Sequence, residues 1–158
     1  METPGTLRSG STRLRGGGEP RVYPVQVTRY ATGTIVREYS AGQTVPVSVQ
    51  LTANHRGTFT FKLCPAASAQ QDPTQDCLDL TVLETSSGSG EWTVPTTTPG
   101  MFHLSVELPG DLECPHCVLQ WTYRAGNNWG TCPDGSGALG CGEQETFRAC
   151  ADIAIGDR

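Results

Sequence analysis

The stretch that decides the fold is Thr44-Val-Pro-Val-Ser-Val-Gln-Leu-Thr52, continued by Ala53-Asn-His-Arg-Gly57 and Thr58-Phe-Thr-Phe-Lys-Leu63. Val45, Val47, Val49 and Leu51 interleave with Thr44, Pro46, Ser48, Gln50 and Thr52, a period of two that turns one face inward. Pro46 falls on the polar side and has no N–H to donate, which predicts an edge strand or an irregular strand start. After Gly57 the alternation resumes with Phe59, Phe61 and Leu63. The pair reads as a β-hairpin whose turn ends on glycine.

Working outward, the same period recurs in Phe102, Leu104, Val106 and Leu108, which Pro109-Gly110 closes. It recurs again from Val118 to Tyr123 and in Phe147, Ala149, Ala151, Ile153 and Ile155. Thr34–Tyr39 and Leu78-Leu80-Val82 read as shorter strands. No helical period reaches a useful length. Short strands divided by Gly, Pro and Ser turns predict an all-β, antiparallel sandwich. Residues 124–146 are then a long loop, and a loop beyond about 12–15 residues is usually functional or cross-linked. Cys132 and Cys141 offer the cross-link.

Composition agrees with one turn-rich β domain. The 158 residues include 19 Gly, 11 Pro and 7 Cys, which is no profile for a coiled coil or a disordered tail. Eleven Lys+Arg stand against sixteen Asp+Glu, a net charge of −5, so neither nucleic acid nor an anionic membrane is an expected partner. No apolar run approaches the roughly 18 residues of a membrane span. Charge is uneven: residues 1–37 hold six Arg and two Glu, and the acidic excess lies beyond them. Residues 1–29 lack hydrophobic periodicity and contain Gly16-Gly17-Gly18, so they read as a disordered or mispredicted lead-in. Seven cysteines suit an oxidising compartment, whereas the first twenty residues lack the apolar centre of a secretory leader. Both observations are reconciled if the chain is the C-terminal part of a longer secreted protein.

Cys64 and Cys77 enclose a polar segment and are expected to pair, at about 3 kcal/mol by chain entropy. Cys114-Pro-His-Cys117 with Cys132 and Cys141 has the outline of a four-cysteine zinc site. Against zinc, Cys-x₈-Cys is no tight knuckle and Cys117 opens a strand, so disulfides are the expectation. Cys150 is left as the thiol without a partner. Of the three histidines, His103 on a polar strand face and His116 between two cysteines read as surface residues. His55 sits at the turn, where an imidazole is presented outward. Glu143 and Glu145 are thin grounds for a glycosidase pair, and Asn54, Asn127 and Asn128 form no glycosylation sequon.

Several strings resemble one family when taken together: Tyr30-Ala-Thr-Gly-Thr-Ile-Val-Arg37, Gln50-Leu-Thr-Ala-Asn-His55, Cys117-Val-Leu-Gln-Trp-Thr-Tyr123, Ala125-Gly-Asn-Asn-Trp-Gly130 and Cys141-Gly-Glu-Gln-Glu-Thr-Phe-Arg-Ala-Cys-Ala-Asp-Ile153. They resemble the chitin-binding type-4 domain of the invertebrate-type lytic polysaccharide monooxygenases, auxiliary activity family 15. On this resemblance residues 30–158 are the C-terminal part of such a domain, with an immunoglobulin- or fibronectin-like sandwich. The resemblance implies an extracellular copper enzyme that cleaves chitin or cellulose oxidatively with an external electron donor. It implies a histidine brace, in which an N-terminal histidine gives an amine and an imidazole and a second histidine completes the copper ligands. His55 matches the second histidine, Phe147 the axial aromatic, and Ala53 the small residue on the other axial side. Tetragonal nitrogen ligation of this kind suits Cu(II). Trp129 is a candidate for the polymer-binding surface, and Trp121 is expected in the core. Because the sequence opens on Met1, the brace is incomplete as written and the chain is expected to be inactive. The alternative is a non-catalytic secreted module that binds chitin, another glycan or matrix.

Overall fold

In the computed structural model of the protein, residues 6–7, 35–66 and 72–156 are described. The Thr44–Leu63 stretch forms β3 (Thr44–Leu51) and β4 (Thr58–Pro65), with the inward side chains of both strands buried. The two strands do not pair with each other. β3 lies between β1 (Thr6–Leu7) and β6 (Gly100–Glu107) in one sheet. β4 belongs to a second sheet, ordered β2 (Arg37–Ser40), β10 (Thr146–Gly156), β7 (Cys114–Arg124), β4 and β5 (Glu91–Thr93). The expected hairpin is therefore a corner that carries the chain from one sheet to the other. Alternation alone does not separate the two cases, because either leaves the same apolar face turned to the same core.

That core is shared by both sheets. Val45, Val47, Val49 and Leu51 meet Phe102, Leu104 and Val106 from one side, and Phe59, Phe61, Leu63, Leu119, Trp121, Ile153 and Ile155 from the other. Phe59 is its aromatic centre, with Trp92, Phe102, Trp121 and Tyr123 rings at 5.3–6.2 Å. The sandwich is antiparallel except at one edge of each sheet, where β1 runs parallel to β3 and β2 parallel to β10. Pro46 pairs with Ser105 in the unbroken β3–β6 register, so no irregular start is seen there; it lies before the Ser48–Val49 pairing with β1, where a missing N–H is tolerated.

Two local readings are corrected. Leu78-Leu80-Val82 is not a strand: Gln75–Leu80 is a helix, α1, whose N-cap Thr74 accepts from the Cys77 N–H through its side chain. Only Leu78 is buried, while Leu80 is 85% exposed, so the period of two was accidental. The disulfide Cys64–Cys77 ties α1 to β4. The 124–146 segment contains a small hairpin, β8 (Trp129–Thr131) and β9 (Gly137–Leu139), cross-linked by Cys132–Cys141. Cys114 is bonded to Cys117 and Cys150 is free. The zinc outline is thereby excluded, since its four sulfurs are consumed in two disulfides. The 1–29 lead-in lies outside the described residues apart from β1.

Candidate functional site

The corner between the sheets is built from left-handed backbone. Arg56 has φ 57° and Gly57 φ 86°, which for Arg56 costs on the order of 1–2 kcal/mol. Asn54 offsets that cost. Its Oδ1 accepts from the Arg56 N–H at 2.9 Å, and its Nδ2 donates to the Thr96 and Thr98 carbonyls at 3.1 and 2.9 Å. Gly57 packs so closely on the Arg124 and Ala125 backbone that a Cβ there would overlap the Arg124 carbonyl oxygen. The glycine read as a turn end is needed for a close approach between sheet and corner.

His55 stands at the crest of this corner and is held by one segment, Tyr123–Asn127. Its backbone N–H donates to the Tyr123 hydroxyl at 2.8 Å, and its carbonyl accepts from the Gly126 N–H at 2.8 Å. The ring Nδ1 lies 3.2 Å from the side-chain amide of Asn127. Nε2 has no hydrogen-bond partner among the described residues. Phe147 presents its ring at 6.4 Å and 21° to the imidazole, and it stacks on Tyr123 at 5.6 Å. Phe147 and Tyr123 are cross-strand partners on β10 and β7, which fixes the aromatic beneath the histidine. Burial pushes the Tyr123 hydroxyl up, partly offset by the His55 N–H, so the phenol stays neutral and keeps its shape at physiological pH.

The structure thus brings His55 and Phe147 together, with Ala53 exposed two residues before His55. Asn127 and Tyr123 were not singled out from the sequence. They lie 72 and 68 residues from His55, and nothing in spacing announces that contact. The other histidines differ. His103 is exposed and bonds Ser48 through Nδ1 at 2.9 Å. His116 is not a loop surface residue; it lies in β7, and its Nε2 is 3.1 Å from Asp152 Oδ1 in a largely buried pair. Glu145 serves the corner through its backbone carbonyl, which accepts from the Ala125 N–H.

Trp129 opens the β8–β9 hairpin two residues after Asn127 and is 73% exposed. Its indole lies across Gly137, where a Cβ would come within 3.0–3.4 Å of the ring. The indole rests against Gly137 and most of its surface is open to solvent. The hairpin is anchored by Gln144, which accepts from the Asn128 N–H and donates to the Asn128 and Cys141 carbonyls. Trp121, by contrast, is 1% exposed in the core.

The donor chemistry at the corner suits a nitrogen-seeking metal in one position. Neutral imidazole with a free Nε2 is a ligand form, and the adjacent Phe147 adds no donor. No group of three or more His, Cys, Asp or Glu gathers to hold a metal among the described residues. No helix among them is long and apolar enough to cross a membrane.

Comparison with known proteins gives two findings. The sequence pattern of the family described as lytic polysaccharide mono-oxygenase, cellulose-degrading, matches residues 7–153. The solved structure of the lytic polysaccharide monooxygenase AA15 from Thermobia domestica in the Cu(I) state is similar over 79% of this chain at 41% identity, with a TM-score of 0.75. This chain spans 65% of that relative's length. No curated protein sequence matches.

Proposed function

Because the chain belongs to the lytic polysaccharide monooxygenase family, of the auxiliary activity 15 type, we propose that it forms the catalytic module of a secreted copper enzyme that cleaves chitin or cellulose oxidatively. The observation that carries this reading is His55, held at three points with Nε2 left free above Phe147. His55 supplies one copper nitrogen through Nε2. The remaining amine and imidazole would come from an N-terminal histidine other than the three of this sequence, His55, His103 and His116. Copper, when bound, supplies one-electron chemistry with oxygen or peroxide, fed by an external electron donor.

The chain's own residues do the positioning. Phe147 lies beside the imidazole and has no donor atom, so it would add no ligand to copper held by His55 and other nitrogen donors. Ala53, small and exposed two residues before His55, would leave room near the ligand. Trp129 offers its open face to a pyranose ring, an apolar platform on a surface that includes the exposed Asn127 and Asn128. An open surface rather than a cleft fits a crystalline polymer, which cannot thread into a pocket. The disulfides suit an extracellular setting, and residues 30–158 are taken as domain sequence.

A polypeptide offering His55 without the N-terminal histidine is expected to bind Cu(II) weakly and to be inactive, since one imidazole forms no chelate. The deciding experiment is Cu(II) calorimetry on the full natural protein and its His55→Ala variant, with mass spectrometry of soluble products from chitin and cellulose. Sub-micromolar binding lost in the variant, with oxidised oligosaccharides from the parent, supports the enzyme. Polymer binding with neither copper nor products would make the chain a non-catalytic glycan-binding module.

A further inference from the structure

Asn127 is exposed and its side-chain amide approaches one ring atom of His55, Nδ1, at 3.2 Å. A primary amide is nearly the same shape whichever way its oxygen and nitrogen are placed, so the ring chemistry decides which end faces Nδ1. With Nδ2 toward the ring the amide donates, Nδ1 must carry a lone pair, and the proton sits on Nε2. With Oδ1 toward the ring, Nδ1–H donates and Nε2 keeps the lone pair. Only the second arrangement leaves Nε2 able to bind a metal. No other side chain among the described residues is hydrogen-bonded to the ring. The backbone of His55 is already fixed by Tyr123 and Gly126, so the freedom left to the residue is its side-chain torsions and its tautomer.

We propose that Asn127 is the positioning residue of the His55 ligand. By a half-turn of its amide it accepts the Nδ1 proton, locks the Nδ1–H tautomer and aims Nε2 outward. The inference rests on the reading of His55 as a copper ligand. Asn127 acts on the ligand through the imidazole. A loop that begins at Gly126, bonded to the His55 carbonyl, and continues into the anchored hairpin holds the amide in register with the ring.

The test compares Asn127→Asp, Asn127→Leu and His55→Ala in the full natural protein. Three readouts are used: Cu(II) affinity, melting temperature, and the electron spin-echo modulation of the remote imidazole nitrogen of the Cu(II) form. Aspartate offers acceptor oxygens only and should keep parental affinity and remote-nitrogen couplings. Leucine leaves Nδ1 to water and should weaken copper 10–100-fold, the range for loss of a ligand's hydrogen-bond partner, with altered couplings and an unchanged melting temperature. Equal affinity and couplings in parent and Asn127→Leu would overturn the proposal, as would Asn127→Asp failing alongside Asn127→Leu. If His55→Ala retains the copper, the ligand reading itself fails. The two failures are thus separable.

Discussion

β7 and β10 lie side by side and carry a histidine environment at each end, and the two ends are built in opposite ways. Near the start of β7, His116 points its Nε2 at the Asp152 carboxylate of β10, with the two side chains 14% and 6% exposed. About seven residues along, or roughly 23 Å at the usual strand rise, Tyr123 and Phe147 lie beneath His55. There the imidazole meets a neutral amide at Nδ1 and leaves Nε2 without a protein partner among the described residues. His116 spends its Nε2 on the sheet, and His55 withholds the same atom. His116, between two cysteines, read as a surface residue in the sequence, yet it is a largely buried fastening. The difference teaches that a presented histidine is recognised by which nitrogen its neighbours leave alone.

The largest effect expected from this contrast is on copper. His55→Ala should abolish sub-micromolar Cu(II) binding in the full natural protein and change stability by less than about 1 kcal/mol, because a partly exposed side chain with one hydrogen bond is removed. His116→Ala should do the reverse. Copper affinity stays at the parental value, and stability falls by about 1–3 kcal/mol as the buried Asp152 carboxylate loses its partner. Paired calorimetry and urea unfolding on both variants check it. Loss of copper in His116→Ala with a native melting temperature would break the comparison.

Next in size is Gly57→Ala. The φ of 86° disfavours any Cβ, and this one would overlap the Arg124 carbonyl oxygen, so a loss of about 3 kcal/mol or more is expected. Gly88→Ala, in the turn before β5, is the control: it has the same sign of φ but open space around it, so only backbone strain of about 1 kcal/mol applies. Urea midpoints for the two variants should differ clearly. Equal losses would mean that the corner is not packed against β7 as described.

The sandwich was largely legible because strand alternation reports a buried face directly. Phe59, Phe61, Leu63 and the Val45–Leu51 series are where their pattern puts them. What alternation cannot report is the partner of a face. For that reason the β3–β4 pair read as a hairpin, although its strands lie in different sheets, and the turn histidine read as a turn rather than as an inter-sheet crest. α1 was missed because six residues held by a Thr74 cap and a disulfide carry no period long enough to see. His55 and Phe147 were marked through family resemblance. Asn127 and Tyr123 come to the site only through folding, since their hydrogen bonds to His55 span 72 and 68 residues.

A smaller test uses the free thiol on β10. Burial pushes the Cys150 thiol up, with a lesser downward effect from Gln120. A thiol raised in the folded state contributes stability in full below the ordinary thiol range, and that contribution is lost as pH rises through the folded value. Unfolding free energy of the parent should therefore decline more steeply in mildly alkaline solution than that of Cys150→Ala. Native-state alkylation should also lag that of the unfolded chain. Parallel pH profiles for the two proteins would show instead that this part of β10 is as open to water as the His55 corner.

Trp129→Ala probes the finest distinction, between an aromatic that holds the protein together and one that faces outward. Trp121 and Trp129 stand on successive strands of different sheets, β7 and β8, but the first is in the core and the second is 73% exposed against Gly137. Removing Trp129 uncovers a glycine and breaks no side-chain hydrogen bond among the described residues, so stability should move by no more than about 0.5 kcal/mol. Binding to insoluble chitin or cellulose should weaken by a few-fold up to about tenfold, corresponding to the roughly 0.5–1.5 kcal/mol of a stacking contact. Trp129→Phe keeps a ring over Gly137 and should recover most of the binding. If Ala and Phe variants both bind the polymer as the parent does, the indole face is not part of the contact. If both lose stability instead, Trp129 is a brace for the hairpin, and the two tryptophans differ only in degree.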